Sequence, residues 1–121
     1  MKALMVVAHG SRHPESDLEI RNLVDTMRES ANGYDQVTHA YLEIALPDIP
    51  EALESLADAG AREIDLLPYF LARGNHVARD VPEIIEDFLS RNDLLTINIL
   101  PHIGAAPSMA HYVLDHVSAC A

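Results

Sequence analysis

Residues 3–8, ALMVVA, form an uninterrupted apolar run that stops abruptly at His9, Gly10, Ser11 and Arg12. A run this short, with two adjacent valines, predicts a strand buried on both faces, as in a parallel sheet covered by helices on each side. Such a strand directs attention to its carboxyl end, because open parallel sheets bind ligands just beyond that edge. There His9, Ser11 and Arg12 are the first polar side chains, and Gly10 lets the backbone turn. A second segment, residues 64–77 (IDLLPYFLARGNHV), repeats the arrangement: an apolar run leads into a loop carrying Arg73, Gly74, Asn75 and His76. If the two strands are neighbours, His9 and His76 face each other across one crevice.

The rest of the chain supplies the elements such a sheet needs. Pro14 and Glu15 open a helix whose apolar residues Ile20, Leu23, Val24 and Met27 share one face, and it should end near Asn32 and Gly33. Residues 37–43, VTHAYLE, read as a strand of mixed polarity and therefore an edge strand, with Glu43 at its carboxyl end and His39 as a partly exposed strand residue. Asp48, Pro50 and Glu51 announce a second helix with Ile49, Ala52, Leu53, Leu56 and Ala57 on its apolar face, and Gly60 stops it. A third strand follows from Glu63. The same signal at Asp80, Pro82 and Glu83 predicts a third helix starting near Asp80. Residues 94–100 alternate as a strand with one wetter face, and residues 107–119 form a last helix with Met109, Tyr112, Val113 and Val117 on one side.

Strict alternation of strands and helices predicts an α/β fold: one three-layer domain over residues 1–121 with a four-stranded parallel sheet. The more apolar first and third strands belong in the centre, giving the order 2-1-3-4. In that order the winding reverses between strands one and three, where His9 and the loop carrying His76 emerge.

Composition narrows the partners. Nineteen acidic against eight basic residues give a net charge of −11, which opposes non-specific binding to nucleic acid or an anionic membrane. No apolar run approaches a membrane-spanning length, and the single cysteine, Cys120, has no internal partner, so the expectation is a soluble, cytoplasmic protein. Against this acidic background Arg12, Arg73 and Arg79 each lie within three residues of His9 or His76. Their placement suggests a positive rim for an anionic ligand.

Two imidazoles with Glu43 nearby could ligate a divalent metal of the iron, cobalt, nickel or zinc group, and a neutral imidazole can also accept a proton. Few protein ligands suit a metal that is passed on better than a permanent structural one. No GxGxxG fingerprint or P-loop supports nucleotide binding. His102, following the fourth strand, is the best histidine outside the crevice.

The segments VAHGSR, AYLEIALPDIPEAL and LPYFLARGNHVARDVPEII resemble the short form of the CbiX chelatases, which insert a divalent metal into the tetrapyrrole sirohydrochlorin. The resemblance runs from residue 4 to about 107, and departs from the family pattern at His13, Pro14 and His102. It implies a chelatase-like fold with His9 and His76 as the metal-binding and proton-handling pair, Glu43 assisting, and a homodimer. Gly10, Ser11, Arg12, Arg73, Asn75 and Arg79 are the expected substrate contacts, since sirohydrochlorin carries many carboxylates. Co2+, Fe2+ or Ni2+ would enter as substrate, with no permanently bound cofactor, in cobalamin or siroheme biosynthesis. A non-catalytic carrier of tetrapyrrole or metal is the rival expectation.

Overall fold

Strands and helices alternate along the chain as β1 (Lys2–Ala8), α1 (Pro14–Ser30), β2 (Gln36–Tyr41), α2 (Ile49–Asp58), β3 (Glu63–Pro68), α3 (Asn75–Leu89), β4 (Thr96–Ile99) and α4 (Met109–Cys120), with a short 3-10 turn, Ile103–Ala105, before the last helix. The computed structural model describes the backbone of all 121 residues and every side chain except that of His76. The four strands are parallel in the order β2-β1-β3-β4, as expected.

Alternation along β1 explains why its whole run is apolar. Ala3, Met5 and Val7 face a core shared with Ile49, Leu53 and Leu56 of α2 and Val81, Ile85 and Phe88 of α3. Leu4 and Val6 face the opposite way, against Val24 of α1 and Val37 of β2. Right-handed crossovers produce this division, because the chain leaves β1 in one direction to reach β2 and returns in the other to reach β3 and β4. Helix α1 therefore lies alone on one face, and among its four predicted apolar residues only Val24 is fully buried.

Where α1 does not reach, hydrogen bonds close that sheet face. Tyr34 donates to Asp65 at 2.6 Å and Asn98 donates to it at 3.0 Å, with the Lys2 ammonium 3.6 Å away. The Tyr34 bond and then the Asn98 bond hold the Asp65 carboxyl below its ordinary range. A strand that reads as simply apolar thus carries one buried acid, satisfied by its neighbours.

Two expectations are corrected, and the last helix adds a finding of its own. Asp80, Pro82 and Glu83 do not start a helix: α3 begins at Asn75 and Pro82 lies inside it. The apolar stripe Val77, Val81, Ile84, Ile85 and Phe88 runs through the proline, and packing against the sheet outweighs one missing N–H. Glu43 lies two residues beyond the end of β2, in the following loop. The apolar side of α4 is not packed: Tyr112, Val113, Leu114 and Val117 are all exposed.

Candidate functional site

The carboxyl ends of β1 and β3 open a crevice at the winding reversal, and the β2–α2 loop forms its first wall. Gly10 adopts φ +105°, and a Cβ there would fall 1.8 Å from the Glu43 carbonyl oxygen. Only glycine permits that approach. The Leu42 N–H donates to the Ala8 carbonyl at 2.9 Å and the Glu43 N–H to the His9 carbonyl at 3.1 Å, so the pairing of β1 and β2 continues past the strand ends. Ile44 then turns sharply at φ 72°, with the Ala45 N–H donating to the Glu43 carbonyl at 2.8 Å. A positive φ is unfavourable for a β-branched residue, and this turn is held by the contacts on either side of it.

These backbone constraints bring two predicted residues together. His9 Nε2 lies 3.0 Å from Glu43 Oε1, and both side chains are about half exposed, at 51% and 46%. The separation suits a hydrogen bond. It also equals the spacing of two neighbouring ligands, each about 2.1 Å from one metal ion, at right angles around it. Phe70, from the loop after β3, meets the His9 ring edge-on with centroids 6.3 Å apart. Below, Tyr41 donates a short hydrogen bond to Asp17 of α1, which fixes the end of β2 to that helix. Burial, and then this bond, push the Tyr41 hydroxyl far above its ordinary range, while the same bond holds Asp17 below its own.

The second wall is the β3–α3 loop and the start of α3. Asn75, His76 and Arg79, expected in a loop, lie in the first turns of the helix, which has neither an acid in its first turn nor a side-chain cap. Its N-terminal N–H groups add positive potential at the crevice. By contrast, α2 is capped by Asp48, whose carboxylate accepts from the Glu51 N–H at 2.9 Å. The His76 side chain lies outside the described residues; its backbone is the second residue of α3.

The basic residues divide sharply. Lys2, Arg21, Arg28, Arg62 and Arg91 are each engaged by an acid or a backbone carbonyl. Arg12, Arg73 and Arg79 are exposed and make no hydrogen bond or ion pair among the described residues. In a chain with nineteen acids, these three guanidiniums belong to segments that leave the carboxyl edge of the sheet, where they raise the local positive potential. Ser11 is less available than expected, because its hydroxyl accepts from the His13 N–H at 3.1 Å. Gly10 shapes the turn as described.

Sequence reasoning passed over one class of residue. Ile44, Leu46, Tyr69 and Leu71 are exposed, the last by 77%, and all four belong to the two loops flanking the end of β1. Large apolar side chains left in water beside cations suit a broad, flat ligand with an ionised rim. The signal was their occurrence in loops, which becomes visible only once the strand ends are known. Among the described residues no group of three or more His, Cys, Asp or Glu side chains converges on one point, and no helix is long and apolar enough to cross a membrane.

Comparison with known proteins agrees with this geometry. The chain is 39% identical over 85 residues to a sirohydrochlorin cobaltochelatase of Methanococcus maripaludis, a match covering 70% of this chain and 58% of that protein. It is 29% identical over 117 residues to the chloroplastic sirohydrochlorin ferrochelatase of Arabidopsis thaliana, covering 97% of this chain and 52% of that protein. The chain thus spans little more than half the length of these relatives. A solved CbiX protein from Marinobacter aquaeolei VT8 superposes with a TM-score of 0.86 at 26% identity, covering 98% of this chain and 96% of that one. The family model described as CbiX matches residues 3–120, almost the whole sequence. On that match and on the fold, the chain belongs to the CbiX family.

Proposed function

We propose that the protein catalyses insertion of a divalent metal into sirohydrochlorin. Co2+ is the foremost metal, after the 39% identical cobaltochelatase, with Fe2+ and Ni2+ as alternatives that imidazole also accommodates. The observation that carries the reading is the 3.0 Å His9–Glu43 pair beyond the carboxyl ends of the strands, with three unengaged arginines on the segments that leave the same edge. A polycarboxylate macrocycle supplies the missing anions, and its flat rings cover Ile44, Leu46 and Leu71.

Insertion exchanges one M2+ for two pyrrole N–H protons. His9 presents a nitrogen donor and Glu43 an oxygen donor 3.0 Å apart, open to solvent, so the metal is held as substrate and released into the product rather than retained as a resident cofactor. When the metal takes the His9 nitrogen, the proton shared with Glu43 passes to the carboxylate or to water. With that proton released to water, the ionised Glu43 carboxylate is the first acceptor for a departing pyrrole proton, and the second leaves to water. His76, across the crevice by its place on α3, is assigned as the partner imidazole by family resemblance.

Further proposals concern assembly and setting. A second copy covers the exposed apolar side of α4, forming a homodimer whose paired domains match the roughly doubled length of the Arabidopsis relative. The protein works in the cytoplasm, in cobalamin or siroheme biosynthesis. The decisive experiment mixes protein, Co2+ and sirohydrochlorin anaerobically and follows absorbance. Many turnovers per protein are expected, whereas a spectral change that stops at one equivalent identifies a carrier. Sedimentation at micromolar concentration should give a dimer, and an active monomer there defeats the assembly proposal.

A further inference from the structure

A cavity of about 430 Å3 lies between α3 and the carboxyl ends of β3 and β4, and neither His9 nor Glu43 belongs to its lining. Its volume falls within the roughly 300–1,000 Å3 of small-molecule sites. Most of its wall is apolar, from Pro68, Val77, Val81 and Ile99, and among the described residues its charged or titratable lining consists of Arg73 and His102. In a chain of nineteen acids, the absence of any acid from this lining is the informative feature.

The two polar residues are held by a backbone clamp. The Gly104 N–H donates to the Phe70 carbonyl at 3.0 Å, and a Cβ on Gly104 would fall 1.7 Å from the Leu71 carbonyl oxygen. The 3-10 turn that follows His102 is therefore seated directly on the loop that carries Arg73. Each residue lies two or three positions from the contact, so neither segment can move without the other.

We propose that this cavity is a subsite for one carboxylate-bearing edge of the macrocycle, with the ring edge against Val77, Val81 and Ile99 and its carboxylate shared by Arg73 and His102. The inference rests on the substrate class proposed above and extends it to a second anchoring point beyond the metal pair. An apolar floor under a guanidinium and an imidazole recognises an anion attached to an apolar body. Arg73 offers a fork of N–H donors, and His102 donates one N–H in its neutral form as well as when charged. Both are positioning residues for the substrate, outside the His9–Glu43 pair.

The test uses uroporphyrin I, a metal-free octacarboxylate macrocycle, with binding read from its own fluorescence anisotropy. His102→Ala and Arg73→Ala should each raise Kd about tenfold, the worth of one charge-assisted hydrogen bond. The double variant should lose less than the product of the two, because one carboxylate is shared. His102→Gln, which keeps an N–H donor, should recover most of the affinity, and Leu94→Ala, an exposed position before β4, should leave it unchanged. In turnover assays His102→Ala should raise KM with kcat within about twofold. An unchanged Kd in His102→Ala, or full additivity in the double variant, overturns the inference. If wild type turns over while His102→Ala binds the probe normally, the subsite alone falls. Weakened probe binding without turnover in wild type supports the subsite and defeats the insertion reading, and no probe binding by wild type defeats both.

Discussion

The two walls of the crevice are built by opposite means. On the β1–β2 side the backbone decides: Gly10 is pressed against the Glu43 carbonyl, Ile44 is held at positive φ, and the Tyr41–Asp17 bond anchors the strand to α1. On the β3–α3 side Arg73 and Arg79 make no internal bond among the described residues, Gly74 has open space around it, and the helix starts without a side-chain cap. The first wall fixes the distance between two reacting groups. The second leaves its charges for a ligand to complete. Placement accurate to a fraction of an ångström is needed where bonds are exchanged, and attraction of a carboxylate tolerates far more freedom.

The largest expected effect therefore belongs to the first wall. His9→Ala should reduce sirohydrochlorin turnover by 10³-fold or so, since it removes a metal donor and a proton acceptor together, within the range roughly spanned by single acid–base groups. A fall in kcat of less than tenfold in stopped-flow assays would show that the pair does not perform the chemistry. Glu43→Gln keeps the size of the side chain and loses the charge, and should cost about 10²-fold in kcat.

Glycine substitutions compare the walls directly. Gly10→Ala must displace the Glu43 carbonyl and should lower both the melting temperature, by several degrees, and kcat, by roughly tenfold or more. Gly74→Ala meets no atom and should change stability by only about a few tenths of a kcal/mol. Equal effects at the two positions would erase the distinction between a fixed wall and a permissive one.

The arginines come next. Arg12→Ala and Arg79→Ala should each raise KM about three- to tenfold with little change in kcat, and added salt should reproduce part of that loss in wild type. Should kcat fall as far as kcat/KM, these residues would act in the transition state and the second wall would share in catalysis.

The smallest effect concerns stability and pH. His39 has both ring nitrogens buried with no hydrogen-bond partner among the described residues, and burial lowers its pKa from 6.5. Its folded form is neutral, while the unfolded chain takes up a proton below about pH 6.5, so stability should fall as pH drops through that value. His39→Leu should flatten the melting temperature between pH 7.5 and 5.5. Asp17 and Asp65, both held below 3.8, contribute stability that is lost only at more acid pH, outside this window. If the wild-type and His39→Leu profiles remain parallel, this account of His39 is wrong.

The sequence by itself determined the parallel sheet, its strand order and the carboxyl edge to which the candidate residues belong. An all-apolar run needs cover on both faces, and alternating strands and helices provide it in few ways. His9, Glu43 and the three arginines were legible because each follows directly from a strand or its loop. Tertiary structure alone decided the rest. Local cap chemistry at Asp80, Pro82 and Glu83 reads as a helix start, and packing of Val77, Val81 and Ile85 on the sheet places the true start at Asn75. His39 is the partly exposed strand residue its pattern implies, but only the fold shows that both its ring nitrogens are buried, and only the fold shows that the apolar side of the last helix lies in water. The His9–Glu43 distance also belongs to the fold, because it depends on a glycine at position 10 approaching a carbonyl 33 residues later in the chain. Periodicity records which side of an element is apolar, and only the assembled chain decides what, if anything, lies against it.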